Sequence, residues 1–145
     1  MAEENKNIQM RLKSVNEADF KMSPGKIGED VDMEAIKIGF SCQIQPNTDN
    51  DSIAILFGIR FDLDGEEVLE SVYRFEFDVM DISQFIVINK DKSITISDIM
   101  PHLLSVAVGT MRGILVVKTA GTNLSKFPLP MIDINMLNNL LSGNN

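Results

Sequence analysis

The stretch Ile99–Lys118, IMPHLLSVAVGTMRGILVVK, constrains this chain more than any other. It is long and apolar enough to resemble a membrane span, yet Pro101, His102 and Arg112 interrupt it. Charge near the middle of a bilayer is costly, so the stretch reads as a buried helix with no membrane insertion. Wound at 3.6 residues per turn, it places His102, Ser105, Gly109 and Arg112 on one narrow stripe. Leu103, Ala107, Thr110, Ile114 and Val117 flank one side of the stripe; Leu104, Val108, Met111 and Leu115 flank the other. A helix packs one arc against one layer, so the second apolar arc predicts a further partner. Gly109 and Gly113 each lower helix propensity by about 1 kcal/mol relative to Ala, and that cost predicts close backbone approach along the stripe.

The chain before this helix alternates with period two, the signature of strands. A first strand starts at Asn7, with Ile8, Met10 and Leu12 on one face, and ends near Phe20. Residues 21–34 break the period at Pro24-Gly25 and Gly28, a loop long enough that the next strand need not lie beside the first. Ile36, Ile38, Phe40, Cys42 and Ile44 share a face of a second strand. After the turn chemistry of PNTDND (46–51), a third strand turns Ile53, Ile55, Phe57, Ile59, Phe61 and Leu63 inward. Asp64-Gly65 supplies the positive φ angles of a tight hairpin turn. The fourth strand, to Val79, turns Leu69, Tyr73, Phe75 and Phe77 inward. Strands two to four therefore form an antiparallel meander with one apolar face.

Residues 80–97 are irregular, with a short buried piece at Phe85–Ile88 and a turn at Asn89–Ser93. Ser97 or Asp98 supplies the N-cap of the long helix, and Pro101 falls in its first turn, where a missing N–H costs nothing. Gly121 suits the C-cap. Pro128 and Pro130 keep LSKFPLPMI extended, and Asp133 caps a last helix, Ile134–Leu141, with Ile134, Leu137, Leu140 and Leu141 on its apolar side. The fold class is α+β: a four-stranded antiparallel sheet, a long helix and a short C-terminal helix. One domain spans 7–141, with a polar, disordered tail at 1–6 and a tail at 142–145.

At 145 residues one domain can bury roughly 68–70% of its unfolded surface without a metal or disulfide. The single cysteine, Cys42, reads as a small buried apolar group, consistent with a cytoplasmic setting. The opening MAEENKNIQM lacks the apolar core of a signal peptide. A net charge of −8 argues against nucleic acid, which demands clustered Lys and Arg. One His and one Cys in separate elements, and no metal-ligand spacing, give no motif for an enzyme, a cofactor or a metal. The acidic run Asp62, Asp64, Glu66, Glu67 reads as a solvated turn. Nine methionines are the remaining feature, and Met suits adaptable apolar recognition.

The order of elements, and the stretch PHLLSVAVGTMRGILVVKTAGTNLSKFPLPMIDINML together with Gly65-Glu66-Glu67, resemble the SecB family of protein-export chaperones. The resemblance covers Asn7 to about Leu141. It implies a homotetramer, a dimer of dimers, in which the stripe His102, Ser105, Gly109 and Arg112 meets neighbouring helices. It implies apolar grooves that hold unfolded or preprotein clients, and it implies the translocase motor SecA as a partner. The groove candidates are Met22, Ile27, Val31 and Met33 from the first loop, and Leu129, Met131, Ile132 and Leu137 from the last. The first loop is shorter than the family's and has no Trp. Of the acidic SecA-contacting positions, Glu17 keeps its carboxylate, while Lys21 and a position near Tyr73 do not. A dedicated chaperone for one toxin–antitoxin or effector partner, or a small-molecule binding domain built on the inward sheet face, fits the same residues.

Overall fold

The computed structural model describes residues 8–141; the two expected tails and Asn7 lie outside the described residues. Four long strands form one antiparallel sheet: β1 (Met10–Met22), β2 (Ile36–Asn47), β3 (Ser52–Leu63) and β4 (Glu66–Val79). Their order is β1-β4-β3-β2, so the meander of β2 to β4 is present and the first strand joins its far edge. A separate hairpin follows, β5 (Ile86–Ile88) with β6 (Ile94–Ile96). Next come the long helix α1 (Met100–Thr119) and the short helix α2 (Ile134–Leu141).

The alternation expected of β3 and β4 is met. Ile53, Ile55, Phe57, Ile59 and Phe61, with Leu69, Tyr73, Phe75, Phe77 and Val79, are buried on one face. Asp64 and Gly65 both have positive φ, 54° and 82°, as a two-residue turn matching strand twist requires. The other face is laid with cross-strand charge. Arg11 sits opposite Asp78 and bonds it at 2.8 Å, and Lys21 sits opposite Glu70 at 3.5 Å. At the centre of this outer face, a Cβ added to Gly58 would stand 2.5 Å from the Ser41 hydroxyl, which is why a strand interior tolerates a glycine there.

Simple alternation fails in β1. Its register against β4 shifts between Leu12 and Ser14 and again between Glu17 and Asp19. Each shift is a bulge that adds one residue and flips the phase. The residues opposite the inward side chains of β4 are therefore Met10, Leu12, Val15, Glu17, Phe20 and Met22. A carboxylate thus stands on a face that is otherwise apolar but for the buried Ser71.

Helix α1 covers the middle of that face. Met100, Leu103, Leu104, Ala107, Val108, Met111 and Leu115 are buried, and each fully buried large apolar side chain contributes roughly 1.5–3 kcal/mol. By length and composition α1 could cross a membrane, but one arc of it is core. The buried arc takes in Leu104, Val108, Met111 and Leu115 from one flank of the stripe and Leu103 and Ala107 from the other, while Val116 and Val117 further along stay exposed. An α-helix with side chains is about 10–12 Å wide, whereas the axes of the outer two of four strands lie roughly 14 Å apart. The inward residues of β3 and β4 are therefore sealed, except Leu63 at the hairpin end, and those of the edge strand β2 beyond Ile36 are only partly covered.

Several local expectations are corrected. Neither Ser97 nor Asp98 caps α1: the N-cap is Ile99, without a side-chain hydrogen bond, because Asp98 takes a left-handed φ of 66°. Val87 and Ile88 are not a buried piece but half of an exposed hairpin. A Cβ added at Gly109 or Gly113 would meet nothing within 4 Å, so the described chain itself makes no close approach there. At α2 the expected cap is present, with the Met136 N–H donating to Asp133 Oδ1 at 3.1 Å.

Candidate functional site

The uncovered part of β2 is the floor of an apolar groove. Phe40, Cys42 and Ile44 alternate on its inward side and are only partly covered or exposed. At 3.2–3.4 Å per residue their run is about 13 Å long. Phe40 leans on Phe57 with ring centroids 6.1 Å apart, which fixes the floor to the core. Over Phe40 opens a concavity of about 530 Å³, walled by Met131, Ile132, Met136, Leu137 and Leu140, with Asp133 at its rim. A second concavity of about 420 Å³ continues over Cys42 and Ile44, between Ile94 and Ile96 of the hairpin and Asn139 and Leu141 of α2. Asn139 borders both, so the two concavities adjoin beside the sheet edge.

The walls are unusually exposed for apolar side chains: Met131 is 91% exposed, Met136 70% and Leu140 67%. Contiguous exposed apolar surface of this kind marks interaction sites. Helix α2 divides its apolar residues between two jobs. Leu137 is buried and Ile134 and Leu141 pack on the core, while Met136 and Leu140 are turned to the groove. Burial pushes the Cys42 thiol up to about 11, so it stays protonated and behaves as the small apolar group expected of it. Among the described residues, no three His, Cys, Asp or Glu side chains gather closely enough to hold a metal ion. The acidic run at the β3–β4 turn is partly paired, with Asp62 and Glu67 on Arg60 and Glu66 on Lys26.

The structure separates the residues expected to share one groove. Met131, Ile132 and Leu137 line it. Leu129 does not; it is buried in the core. Ile27 is also core, 2% exposed, because its loop is tied down by the Asn123 side-chain amide donating to the Ile27 carbonyl at 2.8 Å. Met22 and Val31 pack against the core, and Met33 is exposed before β2. None of these four is among the groove-lining residues. Phe40, Met136 and Leu140 do line it, although the alternation and wheel patterns alone assign Phe40 and Leu140 to the core. The surplus was visible in α2, whose INMLNNLL has more apolar residues than one buried arc of a short helix accepts.

The stripe on α1 is also divided. His102, Ser105 and Gly109 are exposed. Arg112 instead binds its own chain, with Nε donating to the Leu129 carbonyl at 3.1 Å and Nη2 to the Pro130 carbonyl at 2.7 Å. Glu17 is likewise engaged. Its Oε1 accepts from Lys118 Nζ at 2.8 Å and from the Tyr73 hydroxyl at 2.9 Å. Lys118 also lies 4.7 Å above the Phe20 ring, an attractive cation–π placement. This cluster pins the end of α1 to the bulged strand, and it occupies the carboxylate that the SecB resemblance assigns to SecA contact.

No family model matches the chain, and no curated protein does. Among solved structures it is similar to a Mycobacterium tuberculosis SecB-like chaperone, determined in complex with a ChAD peptide from the HigA1 antitoxin. The identity is 7%, the match covers 86% of this chain and 88% of that one, and the TM-score is 0.45.

The Lys118 hydrogen bond, then that from Tyr73, holds the Glu17 carboxyl below the usual carboxylate range. A depressed carboxyl stabilises the fold above its unfolded value, and the gain is lost as pH falls through the folded one. Glu17→Gln should therefore lower the melting temperature at pH 7. The gap from the parent should narrow as the pH falls below the unfolded carboxyl's value of about 4.3 and vanish once the folded carboxyl protonates. Melting curves across that range check this; a gap independent of pH would mean that the carboxylate charge is not what matters.

Proposed function

We propose that this chain is a SecB-like molecular chaperone that holds apolar segments of unfolded or nascent polypeptides in the groove beside β2, and that it is not an enzyme. The observation that carries the reading is the pair of adjoining concavities: an edge strand supplies an apolar floor with period two, under the exposed Met131, Met136 and Leu140. An extended chain has the same period, so alternate side chains of a client can drop onto Phe40, Cys42 and Ile44. Methionine has three rotatable bonds and a polarisable sulfur, so Met131 and Met136 can repack around different side chains at little cost. The inward sheet face beneath α1 is filled by its own phenylalanines, which disfavours a small-molecule pocket there.

Protein export, a cytoplasmic place of action and a homotetramer belong to this proposal. The solvated stripe of α1, with Val116 and Val117 beside it, is the surface available for assembly. SecA is left out of it, because Glu17 is committed to Lys118 and Tyr73 and the neighbouring Lys21 is basic. Sedimentation at micromolar concentration checks the assembly: a species of several subunits is expected, and a strict monomer would remove it from the reading.

The binding claim is tested with a fluorescent, reduced and carboxymethylated α-lactalbumin, a chain that cannot refold. The parent protein should bind it. Met136→Asp with Leu140→Asp should weaken binding at least about tenfold, since each removes one apolar contact of about 1 kcal/mol or more. Ile88→Asp alters an equally exposed apolar residue that lines neither concavity and should leave binding intact. Absence of binding by the parent, or equal loss in both variants, would count against the groove.

A further inference from the structure

The segment 127–133 leads from a short 3-10 turn after α1, Asn123–Lys126, to the start of α2, and its residues Met131 and Ile132 are groove wall. It is poorly provided with backbone anchors. Pro128 and Pro130 have no N–H to donate. Among the described residues, the backbone–backbone hydrogen bonds of this segment are one at each end: the Phe127 N–H donates to Leu124, and the Asp133 carbonyl accepts from Leu137. Between those ends, side chains hold it. Phe127 and Leu129 are buried, and the Arg112 guanidinium bridges two successive carbonyls, Leu129 and Pro130.

A guanidinium presents its donors as a rigid fork, and charge-assisted hydrogen bonds are roughly twice as strong as neutral ones. Two such bonds to adjacent peptide units fix both the height and the rotation of the strand they grip. The residue immediately after the gripped pair is Met131, and Asp133, which caps α2, is two further on. We propose that Arg112 is the positioning residue of the groove: it clasps the segment 127–133 onto α1 and thereby sets where Met131, Ile132 and α2 stand over β2. The clasp is a statement about the fold, and its consequence for clients rests on the chaperone reading above.

Hydrogen–deuterium exchange separates the two. In Arg112→Gln, amides of 129–141 should exchange at least about tenfold faster, while those of β3 and β4 keep the parent rate, because local opening draws on local contacts. Arg112→Lys keeps the charge without the fork and should fall between. The lactalbumin probe should bind Arg112→Gln at least about fivefold more weakly than the parent, with partial recovery in Arg112→Lys. Exchange within about twofold of the parent throughout 129–141 would overturn the clasp. So would acceleration spread evenly over β3, β4 and α1, which would make Arg112 a general stabiliser. A loosened segment with undiminished probe binding would overturn its positioning role. If the parent binds no probe, the chaperone reading falls and exchange alone decides the clasp.

Discussion

One helix has to cover the apolar face of a four-stranded sheet, and it is too narrow to do so. With a width of about 10–12 Å against strand axes spread over roughly 14 Å, α1 seals β3 and β4 and leaves the edges to other parts of the chain. On the β1 side, the bulges bring Glu17 and Phe20 onto the inward face, where Lys118 reaches both. On the β2 side, the chain supplies a strap, a short helix and a hairpin, which roof the edge incompletely. The apolar groove follows from that mismatch.

The two edges differ in chemistry for a reason that lies in sequence. At β1 the uncovered position received a carboxylate with two hydrogen-bond donors, and a satisfied polar cluster closes a surface. At β2 the floor residues are Phe40, Cys42 and Ile44, and the roof residues over them are Met131, Met136 and Leu140. All of these side chains are apolar or nearly so; Phe40 and Cys42 are only partly covered, and Ile44, Met131, Met136 and Leu140 are exposed. An exposed apolar groove lowers solubility unless the rest of the surface opposes self-association; the net charge of −8 supplies that repulsion.

Much of the architecture was legible because β2, β3 and β4 alternate cleanly and α1 is long. The phase of β1 was not legible past Leu12, since a bulge is defined by its partner strand and leaves only a skipped position in the pattern. The β5–β6 hairpin was missed because three-residue strands fall below any periodic window. Of the residues that line the first concavity, Met131, Ile132 and Leu137 are groove candidates on sequence, whereas Met136 and Leu140, the apolar surplus of α2, are not among them. Ile27 and Leu129 were misplaced because an isolated apolar residue in a loop looks the same whether it plugs the core or faces solvent. Phe40 and Ile44 present the converse: alternation says which face a side chain is on, not how far the covering helix reaches.

The central claim is that the groove beside β2 is where an unfolded chain is held. Methionine methyl NMR tests it most directly, because the methionines report from separate places: Met131 and Met136 at the groove, Met111 in the core, Met33 on the first loop. On adding reduced and carboxymethylated α-lactalbumin, the account predicts shifted or broadened methyl signals for Met131 and Met136, with Met33 unmoved. Shifts confined to Met33, or none at the two groove methionines while the probe is bound, would contradict it.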